Sequence, residues 1–181
     1  MHLSPTARVI LGMLGFRPMS GYEIKALVDN STRFFWAASY GQIYPELRRL
    51  AEAGLIEGDP QAQGGRRRTV FSLTATGRDA LVDWHHSAPE IQETRDETML
   101  KLFFADAVGG GATRQALEGK RDHHRDLAAR LREIQAGKDP DTPSSAMRTL
   151  RLGIEWNEWA AGWCERELEQ LPNPERKRTR T

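Results

Sequence analysis

Apolar residues recur at helical spacing in two short segments at the start of the chain. The first segment begins at Pro5, directly after Ser4, and ends near Gly15. Serine is a favoured N-cap, and proline suits the first helical position because the N–H that it lacks would have no helical partner there. Ser20 and Glu23 have the spacing of a capping box and therefore predict the start of a second helix.

A third amphipathic segment is predicted to run from near Gly41 to Gly54, because glycine is a common left-handed helix terminator. Pro45 is expected in its first turn, since a proline further inside a helix removes a hydrogen bond. At 100° per residue, one side of this helix is apolar and the other is polar. The predicted buried side consists of Ile43, Leu47 and Leu50. The predicted outward side consists of Gly41, Pro45 and Arg48, flanked by Gln42 and Arg49.

Two β-type segments, residues 55–57 and 69–73, follow the third helix and predict a two-stranded wing. The loop predicted between them carries a glycine pair and then Arg66, Arg67 and Arg68. Three consecutive guanidinium groups repel one another unless an anion lies close to them. Arginines at the tip of a wing suit the minor groove of DNA or its flanking phosphates. A solubilising charged turn is the simpler interpretation of such a run when it stands alone.

The outward side of the third helix carries side chains that can read a DNA duplex. Gln42 can form paired hydrogen bonds with adenine, and Arg48 can bind guanine or phosphate. Tyr40 and Tyr44 can donate hydrogen bonds to phosphate oxygens. The predicted reading surface consists of Tyr40, Gln42, Tyr44, Pro45, Arg48 and Arg49. A solvated outer face explains such a helix taken alone, but the adjacent basic wing favours DNA binding.

From about residue 94 onwards the pattern is helical throughout, and the last helix, near residues 146–171, has two apolar stripes. A helix with two apolar stripes needs two partners, of which one is its own chain and the other is expected to be a second subunit. Tryptophans at a subunit interface can also hold a flat hydrophobic molecule. One stripe consists of Met147, Leu150, Ile154, Ala161, Cys164 and Leu168. The other consists of Leu152, Trp156, Trp159 and Trp163.

The fold class predicted from these elements is mainly α, with a winged helix-turn-helix domain followed by an all-α C-terminal dimerisation domain. The DNA-binding domain is placed at residues 1–88. The helical domain, which is also the candidate effector domain, is placed at residues 89–171. A basic tail at residues 172–181 is expected to be disordered.

Charge and composition restrict the class of protein further. No apolar run approaches the ~20 residues of a membrane span, and the first ten residues lack a signal-peptide layout, so a cytoplasmic protein without a membrane partner is expected. The net charge is only +1, but residues 1–80 carry +3 and the remainder −2, a modest asymmetry that places the positive charge in the N-terminal part of the chain. A single cysteine, Cys164, excludes an internal disulfide.

Metal binding and catalysis find little support in the sequence. The histidine pairs His85–His86 and His123–His124 point about 100° apart on a helix, so neither pair forms a same-face ligand set. A metal site between helices is the less favoured alternative. Cys164 is expected to be a buried apolar residue, with a redox role as the alternative. No catalytic motif is present, so we predict neither an enzyme nor a cofactor.

Three stretches of this sequence, GMLGFRPMSGYEIKALV, GQIYPELRRLAEAGLIE and GGRRRTVFSLTATGRDAL, resemble the PadR-type (phenolic acid decarboxylase regulator) family of transcriptional regulators. The matching features include Gly21, Tyr22 and Glu23 at the start of the second helix, and Gly77 after the wing. The segments LKLFFAD and LRLGIEWNEWAAGWCE are similar to the branch with a long virulence-activator-like C-terminal helical domain.

The resemblance implies a transcription factor whose C-terminal helices bind a second protomer. Because members of the family mostly repress transcription, it also implies a repressor. It also implies that a small aromatic or hydrophobic effector can release the DNA. Together with the residues above, it predicts a homodimer that binds an inverted repeat in double-stranded DNA. Two other classes stay open, a sensor of hydrophobic ligands and a protein-interaction module that uses the winged fold without DNA.

Overall fold

The computed structural model describes residues 3–63, 66–90, 95–138 and 144–172 of the chain. The chain divides into two compact units, Met1–Ile91 and Gln92–Thr181. The fold is mainly helical with one small antiparallel sheet, which confirms the predicted fold class. In the described residues, no helix is both long enough and apolar enough to cross a membrane. The predicted basic tail lies outside these residues except for Pro172.

The first unit contains helices at both ends of a β-hairpin. A short 3₁₀ turn at Thr32–Phe34 belongs to the connector between its second and third helices. The helices are α1 (Pro5–Phe16), α2 (Gly21–Asp29), α3 (Tyr40–Glu52) and α4 (Ala75–His86). The strands are β1 (Met19–Ser20), β2 (Ile56–Gln63) and β3 (Arg66–Leu73).

Side-chain caps set the starts of the first two helices, as the sequence predicted. The Ser4 hydroxyl accepts a hydrogen bond of 3.0 Å from the Ala7 N–H, with Pro5 at the first helical position. At the start of α2, the Ser20 hydroxyl accepts from the Glu23 N–H at 3.4 Å, and the Glu23 carboxylate accepts from the Ser20 N–H at 2.8 Å. This reciprocal pair is a capping box, and it satisfies two backbone donors that the helix itself cannot.

Helix α3 ends in a Schellman motif. Gly54 has a φ of +69°, which glycine adopts without a Cβ penalty. The Leu55 N–H donates to the Leu50 carbonyl, and the Gly54 N–H donates to the Ala51 carbonyl, both at 3.0 Å. These two bonds satisfy carbonyls at the end of the helix and turn the chain directly into strand β2.

The prediction that Pro45 lies in the first turn of α3 is wrong. The helix begins at Tyr40, so Pro45 lies in its second turn and removes the hydrogen bond that would reach the Gly41 carbonyl. The first turn is closed by a side chain, because the Gln42 Oε1 accepts from the Ser39 N–H at 2.9 Å and from the Ser39 Oγ at 3.1 Å. Burial of the apolar stripe of α3 then stabilises the helix across the proline.

The wing strands are longer than the apolar pattern predicted. The sheet order is β1-β3-β2, and β2 pairs antiparallel with β3 from Ile56↔Leu73 to Gln63↔Arg66. Only residues 64 and 65 separate the two paired strands, and they lie outside the described residues. Arg66, Arg67 and Arg68 therefore belong to strand β3 and not to a loop. Polar residues extend the pairing because backbone groups, rather than side-chain hydrophobicity, form the ladder.

The hairpin and helix α4 meet where the backbone of Leu55 contacts Gly77. The Thr74 N–H donates to the Leu55 carbonyl at 3.2 Å, and the Thr74 hydroxyl donates to the Gly54 carbonyl at 2.7 Å. A Cβ built on Gly77 would lie 1.9 Å from the Leu55 carbonyl oxygen. Only glycine fits at this position without moving the backbone of the wing.

The second unit consists of helices in its described residues, and its two long helices pack against each other. Gly153 permits their close approach, because a Cβ there would lie 3.1 Å from the Leu131 Cδ1. The helices are α5 (Glu97–Phe103), α6 (Ala105–Val108), α7 (Ala112–Ala136) and α8 (Ser145–Gln170). The buried residues of α7 and α8 are Leu117, Ala128, Leu131, Ile154, Asn157, Ala160, Ala161 and Cys164.

Substituting Gly77 by alanine tests the contact between α4 and the wing. Gly77→Ala is expected to lower the free energy of unfolding by about 3 kcal/mol, because the new methyl group meets backbone that cannot rotate away. Gly12→Ala is the control, since no atom lies within 4 Å of a Cβ there and alanine is the better helix former. Urea denaturation of both variants measures the difference. Equal stability of the two variants would contradict the close contact.

Candidate nucleic-acid interface

Helix α3 has one fully buried side and one exposed side, as its periodicity predicted. Ile43, Leu47 and Leu50 are 0%, 1% and 2% exposed, respectively. The outward side consists of Tyr40, Gly41, Gln42, Tyr44, Pro45, Arg48 and Arg49, all exposed. Because the apolar stripe is buried, the six residues of the predicted reading surface are exposed together on the opposite side of the helix. Gly41 lies among them but has no side chain.

Two tyrosines form a stacked pair at the start of α3. The ring centroids of Tyr40 and Tyr44 are 6.2 Å apart with an interplanar angle of 17°. The Lys25 ammonium, from α2, lies 5.1 Å from the centre of the Tyr40 ring and also pairs with Asp29. Cation–π contact and stacking fix the position of the exposed Tyr40 ring. Lys25 is not predicted from the sequence, where its only local signal is the i,i+4 spacing to Asp29.

Gln42 and Arg49 already have partners within the protein. Reading adenine through both amide atoms of Gln42 would compete with the hydrogen bonds that its Oε1 accepts from Ser39. The Arg49 Nη2 donates to the Glu46 Oε1 at 2.6 Å, and the Ser4 hydroxyl donates to the same oxygen at 2.7 Å. Arg48 is exposed and has no hydrogen-bond or ion-pair partner within the described part of the chain. Its guanidinium is thus the freest on this face.

A close contact between α2 and α3 positions the reading surface. A Cβ on Gly21 would lie 2.9 Å from the Tyr44 Cε1 and 3.0 Å from the Leu47 Cδ1. The first residue of α2 therefore rests directly on the ring that α3 exposes. Tyr22, the next residue, is 66% exposed beside this contact. A larger residue at position 21 would displace the Tyr44 ring.

Arg68, which the sequence predicts to contact DNA from the wing, also has a partner within the protein. Its Nη2 donates to the Glu23 Oε2, and the two side chains are 39% and 29% exposed, respectively. Arg17 adds a weaker contact, with its Nη1 3.4 Å from the Glu23 Oε1. The backbone of Arg66 and Arg67 continues strand β3 beyond this ion pair, and their side chains lie outside the described part of the structure.

The environment of Glu23 favours its charged form. Hydrogen bonds from Ser20, first from its backbone N–H and then from its hydroxyl, together with the Arg68 guanidinium, lower the pKa of Glu23 to about 2. Partial burial opposes this shift but does not outweigh it. Glu23 is therefore a carboxylate at every pH at which the protein is expected to act.

The second unit exposes the tryptophan stripe of α8. Leu152, Trp156 and Trp159 are 67%, 58% and 56% exposed, respectively. The rings of Trp156 and Trp159 have centroids 5.3 Å apart and are tilted by 31°. Trp163 is half-buried. Several exposed apolar side chains on one face of a long helix are typical of an interaction site.

The histidine pairs and the cysteine do not form a reactive site in the described residues. The His124 Nδ1 lies 2.7 Å from the Asn157 Oδ1, which gives this histidine a polar partner between α7 and α8. No group of three or more His, Cys, Asp or Glu side chains in the described ranges could hold a metal ion. Cys164 is fully buried, and burial raises the pKa of its thiol, which opposes thiolate formation.

The first unit is a winged helix-turn-helix domain, since α2 and α3 are joined by a connector and the hairpin β2–β3 follows directly. The model of the transcriptional regulator PadR-like family matches residues 10–83, and that of the virulence activator alpha C-terminal domain matches residues 94–172. A curated relative, the negative transcriptional regulator PadR of Bacillus subtilis, is 33% identical over 128 residues, which are 70% of this chain and 69% of that protein.

Solved structures agree with this assignment. Bacillus subtilis PadR in complex with operator DNA has a TM-score of 0.80 and 26% identity, over 90% of this chain and 96% of that one. The same protein in complex with p-coumaric acid has a TM-score of 0.74 and 25% identity, over 92% and 98% of the two chains. The chain belongs to the PadR-like family of transcriptional regulators, which is not a family of enzymes.

The low pKa of Glu23 predicts how stability depends on pH. The folded-state pKa of about 2 lies below the ordinary value of 4.5, so the contribution of Glu23 is complete above about pH 4.5 and is lost as the pH falls towards 2. Discounted for partial exposure of the ion pair, this contribution is about 1–2 kcal/mol.

The difference between the wild type and the Glu23→Gln variant isolates this contribution. Chemical denaturation from about pH 6 to about pH 2 should show the wild type losing its advantage over the variant through that window. Glu57→Gln, which removes an exposed carboxylate on β2, should leave the pH profile nearly unchanged. A constant difference between wild type and Glu23→Gln across the window would contradict the lowered pKa of Glu23.

Proposed function

We propose that the protein is a homodimeric repressor that binds an inverted repeat in double-stranded DNA. The exposed face of α3 carries this proposal, because a stacked tyrosine pair at the start of the helix and Arg48 in its third turn, which has no partner in the described residues, lie on one face next to a wing. The operator complex of Bacillus subtilis PadR, which shares this fold over most of both chains, supports DNA as the partner. The description of that protein as a negative regulator supports repression.

In the proposed complex, the outward side of α3 lies in the major groove. Arg48 is the main candidate for base readout, with Gln42 beside it, while Tyr40 and Tyr44 donate hydrogen bonds to phosphate oxygens. Pro45 and Arg49 complete this surface. The wing contacts the flanking backbone or the minor groove through Arg66 and Arg67.

The proposed dimer forms through the helices of the second unit. Exposed Leu152, Trp156 and Trp159 on α8 supply an apolar face, with half-buried Trp163 beside them, and a partner subunit would cover it. Two recognition helices about one helical turn of DNA apart would then read the two halves of an inverted repeat. The protein would act in the cytoplasm, where its operator is located.

A small aromatic or hydrophobic effector is proposed to release the DNA. The complex of Bacillus subtilis PadR with p-coumaric acid supports this class of ligand. In this chain, the neighbouring rings of Trp156 and Trp159 supply flat apolar surface suited to an aromatic compound. The same pair of rings favours a hydrophobic-ligand sensor as the second function, coupled to the first.

Substitutions of two arginines separate base readout from phosphate binding. On DNA from upstream of the protein's own gene, Arg48→Ala should weaken specific binding by about 1–3 kcal/mol and relax sequence preference. Arg67→Ala should weaken binding to all sequences about equally. It should also reduce the slope of the logarithm of the binding constant against the logarithm of the salt concentration by about 1. Mobility shifts with competitor DNA over a salt series measure both effects. Equal losses of specific and non-specific binding in Arg48→Ala would contradict base readout by this residue.

Replacing the exposed tryptophans tests the proposed dimer interface. Trp156→Ala combined with Trp159→Ala should raise the dimer dissociation constant about tenfold or more, because buried aromatic residues dominate interface energies. Phe16→Ala, which truncates an even more exposed aromatic side chain in the first unit, is the control. Sedimentation equilibrium measures the constant. An unchanged dimer in the tryptophan variant would place the interface elsewhere, and a wild-type monomer would contradict the dimer itself.

Tryptophan fluorescence tests the proposed effector site. Titration with p-coumaric acid should quench the fluorescence of the wild type and lower its affinity for DNA over the same concentration range. Trp159→Phe keeps an aromatic ring at the proposed dimer interface, so it should lose part of the quenching while most of its DNA binding without ligand is retained. Quenching without any change in DNA affinity would support the sensor alone and would contradict coupling to DNA release.

A further inference from the structure

The Glu23 carboxylate joins three parts of the first unit. Its Oε2 accepts hydrogen bonds from the N–H and the hydroxyl of Ser20, at 2.8 and 2.9 Å, and also from the Arg68 Nη2. Its Oε1 lies 3.4 Å from the Arg17 Nη1. One side chain therefore caps the helix that supports α3 and holds a strand of the wing.

The ion pair with Arg68 anchors the wing closer to its tip than the pairing between strands β1 and β3 does. Strand β1 pairs with β3 only at Met19↔Phe71 and Ser20↔Val70. Arg68 lies two residues further along β3 towards the tip, where its backbone partner is Gln61 of the other wing strand. Beyond β1, the Glu23–Arg68 ion pair thus continues the connection between the wing and the start of α2.

Arg68 is held rather than freely solvated. Its Nε is buried and has no hydrogen-bond partner within the part of the chain that the structure describes. The Nη2 of the same guanidinium donates to Glu23, although 39% of the side chain is exposed. Removing the carboxylate would leave this guanidinium without a counter-charge.

On the basis of the function proposed above, we propose that Glu23 is a positioning residue that determines DNA specificity. Its ion pair with Arg68 fixes the wing relative to α2 and α3, and it withholds one guanidinium from the phosphate backbone. Phosphate contacts strengthen binding to every sequence alike, whereas a fixed wing aligns α3 with one register of bases. Glu23 therefore lowers non-specific affinity and raises discrimination between sequences.

Glutamine at position 23 separates the ion pair from the helix cap. A capping box accepts glutamine in place of glutamate, so Glu23→Gln keeps the acceptor for the Ser20 N–H and loses the charge opposite Arg68. Arg68→Gln removes the guanidinium, and the double variant removes both members of the pair. Glu57→Gln is the matched control, because it removes one negative charge from an exposed position on β2.

The full-length protein and its variants are titrated against two DNA probes over a salt series. One probe is the upstream fragment that the wild type shifts in the presence of competitor, and the other is a scrambled fragment of the same length. Glu23→Gln should lower the ratio of specific to non-specific affinity about tenfold. It should also steepen the slope of log binding constant against log salt concentration by about 0.9 for each new phosphate contact. Glu57→Gln should change neither the affinity ratio nor this slope appreciably.

The double variant shows whether Glu23 acts through Arg68. In the Arg68→Gln background, Glu23→Gln should change the specificity ratio by less than about twofold, because the two residues form one unit. In the absence of DNA, hydrogen exchange of the Thr69–Phe71 amides should be faster in Glu23→Gln than in the wild type. This second readout tests the hold on the wing independently of the probe.

The possible results separate this proposal from the proposed function. If the wild type shifts no DNA in the presence of competitor, and so supplies no specific probe, specific DNA recognition is refuted and the role of Glu23 is refuted with it. If the wild type discriminates but Glu23→Gln keeps the same ratio and salt slope, only the role of Glu23 is overturned. Full additivity of the two single substitutions, or unchanged hydrogen exchange in Glu23→Gln, would likewise overturn it.

Discussion

Burial of the Ile43, Leu47 and Leu50 stripe against the rest of the first unit is the constraint on which the interface depends. These three residues are at most 2% exposed, so the rotation of α3 about its axis is fixed. With 3.6 residues per turn, the same rotation determines that Tyr44 and Arg48 face outward. The polar surface proposed to read DNA is thus a consequence of the apolar core, and a substitution in the core would misalign it.

Close backbone contacts extend this constraint to the neighbouring elements. Gly21 lets the first residue of α2 rest on the Tyr44 ring, and Gly77 lets α4 rest on the backbone of Leu55 where the wing begins. Glu23 adds an electrostatic tie between α2 and the wing. Packing within one small domain therefore fixes the position of the wing relative to α3. A surface that binds a rigid duplex requires such fixed positions.

Local signals made part of this structure predictable from the sequence. Ser20 and the helix end at Gly54 were identified because caps act through neighbouring residues. The length of the wing strands is not predictable from the sequence, because these polar residues join a strand only where a partner strand supplies backbone hydrogen bonds. The position of Pro45 in the second turn of α3 is not predictable in this way, because tertiary burial of the helix outweighs the cost of a proline. The bond between Arg68 and Glu23 spans 45 residues and leaves no local signal.

We propose that the exposed face of α3 reads base sequence. Selection of bound fragments from a random DNA pool by the full-length protein tests it most directly. We expect enrichment of an inverted repeat with half-site centres about 10 base pairs apart, and loss of base preference within each half-site in the Arg48→Ala variant. A pool that stays random after repeated selection by the wild type would contradict it.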